Sequence, residues 1–171
     1  WLPLSRGLGD VYKRQRLPYL KGDTIRLKAY YDLANAYKTI NPNEGIKYAT
    51  EALAIAEKTG MARALAAAYK ELGINYYYKG NYIKAIDNFN KALIYCNTLK
   101  KDNLASGIVA QMAIIYQELG QYDKALQFYQ KALQDDIDND LRENVAGDYG
   151  NIGIVYLLLK NYAKALVFDE N

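Results

Sequence analysis

The chain has 171 residues, 51% hydrophobic and 24% charged, which is typical of one folded domain rather than of a disordered segment. It contains no histidine and one cysteine, which excludes histidine-based acid–base catalysis, Ser-His-Asp and Cys-His nucleophiles, His/Cys zinc sites and an internal disulfide. No run of about 18 apolar residues occurs, so we expect no membrane span.

The first fifteen residues, WLPLSRGLGDVYKRQ, differ from the rest of the chain. They start with Trp rather than Met, hold the only tryptophan and lack helical periodicity. They resemble translated adaptor sequence, and we expect residues 1–15 to form a non-native tail, disordered or irregular. The tail carries three basic side chains against Asp10, so the remainder holds 19 basic and 18 acidic side chains. That balance gives no electrostatic case for a nucleic acid or an anionic membrane as a partner.

A period of forty residues organises the remaining domain, residues 16–171. Segments 69–93, 109–133 and 149–171 align without gaps, and segment 30–53 fits with one residue deleted in its turn. Each copy has two stretches with apolar residues at helical spacing, which predicts a pair of antiparallel helices. One pair cannot bury both of its faces, so the pairs are expected to stack.

The pattern predicts four repeats, over residues 24–60, 61–101, 102–138 and 139–171, the last of them truncated. Between the two helices of a repeat, a turn such as KGNY (79–82) has a glycine that favours a left-handed conformation and an asparagine that caps the next helix. Small residues at Gly73 and Ala85 allow close approach of the helices, and Tyr76 and Phe89 fill the space around them. The predicted helices are 24–39, 43–58, 61–79, 82–99, 103–119, 122–134, 140–159 and 162 to the end.

The spacing resembles the tetratricopeptide repeat (TPR), whose pattern is an aromatic, Leu-Gly, Tyr, Ala, an aromatic and Ala. The period is longer than is usual in that family, and it resembles a bacterial subgroup whose repeats often precede a histidine kinase, a cyclase or a DNA-binding regulator. The resemblance implies an all-α, right-handed superhelical α-solenoid in which the first helix of each pair lines a concave groove. The second copy carries the pattern as Tyr69, Leu72-Gly73, Tyr76, Ala85, Phe89 and Ala92.

The resemblance also implies a peptide-binding site in that groove. Its mixture of amides, aromatic rings and aliphatic side chains suits a peptide better than a charged metabolite. It lacks the Lys, Asn and Arg set that clamps a C-terminal carboxylate in some family members, because Ile74 lies four residues after Lys70. The candidate groove residues are Tyr31, Asn35, Lys70, Ile74, Tyr77, Tyr78, Gln111, Ile114, Gln117, Asn151 and Ile154, and the wider inward-facing set adds Lys28, Lys38, Glu71, Glu118, Gly150 and Leu157.

The stretch INYYYKGNYIKAI (74–86) holds four tyrosines with different expected roles. Tyr76 and Tyr82 recur at the forty-residue spacing, which indicates packing. Tyr77 and Tyr78 do not recur, so a ligand is expected there first. The isoleucines that recur at one repeat position either pack against adjacent helices or contact a ligand, and they are Ile74, Ile114 and Ile154.

The acidic run QDDIDNDLRE (134–143) has aspartates at the spacing of the first three ligands of a calcium loop. Leu141 stands where that loop requires glycine and Gly147 where it requires glutamate, so the calcium interpretation fails. We expect an inter-repeat loop with an Asp or Asn helix cap instead. We expect no bound metal and no cofactor, and a buried core thiol at Cys96.

Together these features predict a scaffold that binds a protein or a peptide in the groove and is not an enzyme. The alternative is a regulatory or sensory segment of a larger bacterial signalling protein whose output domain lies outside this fragment. The last repeat ends in an exposed face, which offers a route to association of the isolated chain. The sequence does not fix the compartment, for which the cytoplasm is the default expectation.

Overall fold

The computed structural model describes residue 15, residues 17–99 and residues 104–169, and of Asp169 it describes the backbone alone. The expected tail therefore lies, apart from Gln15, outside the described residues. Within the described part, a short 3-10 helix (Leu17–Tyr19) precedes eight α-helices and no strand is present. The α-helices are α1 (Asp23–Tyr37), α2 (Pro42–Thr59), α3 (Ala62–Tyr78), α4 (Tyr82–Cys96), α5 (Leu104–Glu118), α6 (Tyr122–Asp138), α7 (Arg142–Leu158) and α8 (Tyr162–Asp169).

The chain divides into two compact units, residues 1–98 and residues 99–171. In the first unit each helix from α1 to α4 packs on the next, and α1 also contacts α3. In the second unit α5 to α8 pack on one another in chain order. The prediction of an all-α fold of antiparallel helix pairs is confirmed. No helix within the described residues is both long and apolar enough to cross a membrane.

The turns inside the helix pairs follow the predicted chemistry. Gly80 adopts φ 78° and Gly120 φ 70°, the left-handed region in which a side chain is strained. The Asn81 side-chain oxygen accepts a hydrogen bond from the Lys84 backbone N–H at 3.1 Å and so caps α4. In the last pair the left-handed position is Lys160, with φ 57°.

Close packing of the paired helices depends on small residues, as predicted. A Cβ added at Gly73 of α3 would lie 2.5 Å from Cε1 of Phe89 on α4, so no larger residue fits there without rearrangement. Phe89 and Ala85 are completely buried. The only cysteine, Cys96, is also buried, in agreement with a core thiol.

A lysine–tyrosine contact recurs in three successive pairs, which the sequence analysis did not anticipate. The Nζ of Lys84 lies 5.4 Å from the ring centroid of Tyr76, and the equivalent contacts of Lys124 with Tyr116 and of Lys164 with Tyr156 measure 5.3 and 5.2 Å. Each joins the second helix of a pair to the first. Such contacts contribute about 0.5–1 kcal/mol each when exposed, so the repeat encodes a small cation–π stabilisation within each pair.

The predicted helix boundaries hold within three residues except at α6. This helix was predicted to end at residue 134 and continues to Asp138. Asn139 donates from its side chain to the Asp135 carbonyl at 2.6 Å, and Asp140 then leaves the helical region with φ 56°. The predicted Asp or Asn cap is also wrong for α7, because its N-cap is Leu141, which makes no side-chain cap hydrogen bond.

Candidate functional site

Six of the predicted groove residues lie in the first unit, on the neighbouring helices α1 and α3. Asn35 is exposed and Tyr31 partly buried on α1. On α3, Tyr78 is 44% exposed, whereas the other three are partly buried. Because α1 and α3 are in contact, these side chains share one helical layer. Those on α3 are Lys70, Ile74, Tyr77 and Tyr78.

Tyr77 and Tyr78 form the centre of an aromatic patch, which we define as Tyr77, Tyr78, Tyr82 and Lys38. The rings of Tyr77 and Tyr78 meet edge to face with centroids 5.1 Å apart, and the ring of Tyr77 lies 5.9 Å from that of Tyr82. The Nζ of Lys38, at the end of α1, lies 5.6 Å from the Tyr78 centroid. The patch thus presents partly exposed aromatic surface beside a cation, an arrangement suited to apolar and aromatic side chains of a partner.

Tyr31 has a structural role that its place in the candidate set did not suggest. Its hydroxyl donates to the Ala64 carbonyl of α3 at 2.8 Å. Burial, followed by the charge of Glu71, raises the Tyr31 pKa far above its ordinary value, so the hydroxyl stays protonated. Tyr31 therefore joins α1 to α3 and leaves part of its ring accessible.

Glu71 is the most unusual member of the wider set. Its residue is 8% exposed, and its Oε1 lies 3.5 Å from the Nζ of Lys70. Its Oε2 is buried and has no hydrogen-bond partner among the described residues. Burial raises the Glu71 pKa, and the nearby Lys70 and Lys38 partly oppose that effect. A carboxylate oxygen left in this state costs stability unless something binds it.

The other five predicted residues lie in the second unit, on α5 and α7. Gln117 is engaged within the fold, because its side-chain oxygen accepts a hydrogen bond from the Tyr129 hydroxyl at 3.3 Å. Ile114 packs against the core cluster of this unit, whereas Ile154 is 48% exposed. The recurrent isoleucine thus packs in one copy and faces solvent in another. Gln111 and Asn151, both partly buried, complete the set.

Sequence reasoning missed a buried carboxyl pair between α6 and α7. Asp136 is 3% and Asp148 5% exposed, and the two side chains are hydrogen-bonded. Burial and the neighbouring Asp136 raise the Asp148 pKa to about 6. Tyr129 lies near the pair, and burial with the charge of Asp148 raises its pKa to about 12.

A signal for this pair exists in the repeat alignment. Asp136 falls forty residues after Cys96 and eighty after Ala56, and Asp148 falls at the same spacings after Ile108 and Ala68. These equivalents are all buried. An acid in a repeat column that is otherwise apolar therefore indicates a buried acid. The prediction of a loop over 136–140 is wrong for residues 136–138, which lie in α6.

Comparison with known proteins identifies a family and a set of similar folds. The family model described as SNAP, soluble NSF attachment protein, matches residues 20–166. No curated protein matches the chain. A signal transduction ATPase with numerous domains (STAND) from Pyrococcus horikoshii, which has a tetratricopeptide repeat sensor, is 25% identical with a TM-score of 0.77, over 92% of this chain and 25% of that one.

Two further solved structures show the fold alone. A Rap protein complexed with Competence and Sporulation Factor has a TM-score of 0.83 at 16% identity, over 97% of this chain and 48% of that one. A kinesin light chain with nearly identical TPR-like repeats, from Podosopora anserina, has a TM-score of 0.66 at 17% identity, over 98% and 83%. The chain thus spans a quarter of the STAND protein and about half of the Rap protein. The resemblance to TPR proteins holds at the level of TPR-like helical repeats.

Proposed function

The chain belongs to the soluble NSF attachment protein family, and we propose that it is an interaction module that binds a peptide or a partner domain on the surface formed by α1 and α3. The observation that carries this proposal is the aromatic patch. Tyr78 is 44% exposed, and Tyr77 and Tyr78 have no tyrosine equivalents forty or eighty residues later. Stacking of repeats therefore does not require them, whereas aromatic side chains are enriched where proteins bind one another.

Names of related proteins support binding rather than chemistry. The family is named for attachment to NSF, and the Rap protein was solved with Competence and Sporulation Factor. We propose that this chain likewise acts by binding and is not an enzyme, since the sequence has no histidine and one buried cysteine. We also propose that it needs no cofactor or metal. Nucleic acid is a poor candidate, because the chain without its tail is nearly neutral.

Replacing the two tyrosines tests the interaction surface. A Tyr77→Ala/Tyr78→Ala variant is expected to stay folded and to lose most of the partners that the unchanged chain captures from a cell lysate. Tyr19→Ala provides the matched control, because Tyr19 is a tyrosine of the same unit that is 81% exposed and lies outside the patch. Capture of the same partners by the double variant, with an unchanged circular dichroism spectrum, would overturn the proposal.

A second candidate function is a sensory or regulatory segment of a larger bacterial signalling protein. The TPR sensor of the STAND protein, 25% identical, favours this candidate. The observation that tests it is the complete reading frame of the gene. A histidine kinase, cyclase, ATPase or DNA-binding domain in the same frame supports the proposal, and a frame that encodes helical repeats only contradicts it.

A further inference from the structure

The buried carboxylate of Glu71 faces α1 and lies close to the aromatic patch. Its Oε2 has no hydrogen-bond partner in the described part of the chain, while Oε1 is 3.5 Å from Lys70 Nζ. The hydroxyl of Tyr31, the nearest neutral donor group from α1, is already engaged with the Ala64 carbonyl. An acceptor that is more than nine-tenths buried and unpaired is rare in a folded protein, and a ligand donor is one explanation for its presence.

The charges around Glu71 nearly balance. Lys70 and Lys38 act on the carboxylate as cations, and Asp32 of α1 acts on it as a second anion. Another cation brought into this cleft would meet two lysines, and another carboxylate would meet two acids. A neutral N–H donor avoids both penalties.

Glu71 also occupies a repeat position that always carries a side-chain oxygen acceptor. Its equivalents at the repeat spacing are Asp32, Gln111 and Asn151. Asp32 is exposed, and Gln111 and Asn151 are partly buried. A peptide in extended conformation offers backbone N–H groups at regular spacing, whereas a helical peptide has satisfied all but its first four.

We propose that Glu71 accepts a hydrogen bond from a backbone N–H of an uncharged, extended peptide segment bound between α1 and α3, with a neighbouring apolar or aromatic side chain of the peptide on Tyr77 and Tyr78. This inference rests on the proposed interaction function and specifies its ligand. The segment is internal rather than a chain end, because a terminal carboxylate would face Glu71 and Asp32, and a terminal ammonium would face Lys38 and Lys70.

The first experiment measures binding of the full chain to an immobilised library of octapeptides with acetylated and amidated ends. Glu71→Gln is compared with Asp32→Asn, which removes one negative charge from the equivalent, exposed position of the preceding repeat. In either orientation the Gln amide places its NH₂ group against a donor, Lys70 or the peptide N–H. The expected result is a Kd raised about tenfold or more by Glu71→Gln and changed less than about twofold by Asp32→Asn.

Thermal unfolding of the same variants separates a ligand role from a structural one. Glu71→Gln removes a buried charge and is expected to unfold at a temperature no lower than the unchanged chain, while it loses peptide affinity. A lower unfolding temperature together with weaker binding would mean that Glu71 supports the fold, which would overturn the assignment.

An amide-to-ester scan of the tightest peptide identifies the bonded N–H. One ester is expected to weaken binding about tenfold to the unchanged chain and to have no effect on Glu71→Gln. An ester scan without such a position, or binding that requires a Lys or Arg of the peptide, overturns the inference and leaves the interaction function standing. If the unchanged chain captures no octapeptide, and Tyr77→Ala/Tyr78→Ala loses no lysate partner, both proposals fail.

Discussion

At the scale of single residues, the buried polar groups are where this protein departs from its own repeat. The junction that Ala56 and Ala68 fill in the first unit is filled by Asp136 and Asp148 in the second. Two buried carboxyl groups in contact cannot both ionise at low cost, so they share a proton. Tyr129 of α6 and Glu118 of α5 add further acidic neighbours.

The carboxyl pair predicts a pH dependence of stability. The Asp148 pKa is about 6 in the folded chain and 3.8 in the unfolded chain, so between these values the folded state holds a proton that the unfolded state has released. The free energy of unfolding contributed by this group therefore falls as pH rises from about 4 to about 6, and is constant above that range. Urea unfolding at intervals of half a pH unit measures it.

Asp148→Asn supplies the control for that measurement, since its amide donates to Asp136 without titrating. The difference in unfolding free energy between the variant and the unchanged chain is expected to grow in favour of the variant as pH rises from 4 to 6. A difference that stays constant over this range would show that Asp148 titrates normally.

At the scale of helices, one buried junction in the first unit is matched to an unusual pair of residues. Asn75 of α3 is completely buried, and its side-chain oxygen has no hydrogen-bond partner among the described residues. A Cβ added at Gly45 of α2 would overlap that oxygen. The equivalent junction in the second unit holds Ala125 and Val155 in one core cluster. Gly45 thus provides the space that Asn75 occupies.

A double-mutant cycle tests this match. Gly45→Ala alone is expected to destabilise the chain by about 1–3 kcal/mol, because it overpacks the junction. In Asn75→Val, which removes the unsatisfied oxygen, the cost of Gly45→Ala is expected to fall by at least about 1 kcal/mol. Chemical denaturation of the four proteins gives the coupling energy.

Gly73→Ala is the matched control for this cycle, because a Cβ there meets Phe89 and not Asn75. Its cost is expected to be the same with Asn75 or Val at position 75. Equal costs of Gly45→Ala in the two backgrounds would contradict the proposed match.

At the scale of the whole molecule, apolar exposure is concentrated at the last helix pair. Leu157 and Leu158 of α7, and Leu166 and Val167 of α8, are between 46% and 59% exposed. Leu126, forty residues before Leu166, is partly buried against the core cluster of the second unit. The same position is therefore covered in the third pair and exposed in the fourth.

This exposure predicts self-association of the isolated chain at high concentration. Leu157→Gln/Leu166→Gln is expected to lower the weight-average mass at about 100 μM in sedimentation equilibrium, with little change in stability because both side chains are more than half exposed. Ile83→Gln, at an 84% exposed isoleucine of α4, should have no effect. A chain that is monomeric at every concentration would contradict the prediction.

Local physics made much of the fold predictable. Helical periodicity predicted the pairs, and the Gly80 and Asn81 turn was predicted because a left-handed residue and a side-chain cap depend on adjacent residues only. The end of α6 was missed because acidic residues suggested a solvated loop. Their helix instead continues, and Asp136 turns into the junction with α7.

The sequence by itself determined the helical repeat, its turns and the non-recurrent position of Tyr77 and Tyr78, since each follows from spacing along the chain. The tertiary structure alone decided which polar side chains are buried and which candidate residues remain accessible. Tyr31 and Gln117 are engaged by hydrogen bonds from or to residues outside their own helices, and Glu71 is covered although it is charged. Burial and pairing depend on neighbouring helices, and spacing along one helix does not reveal them.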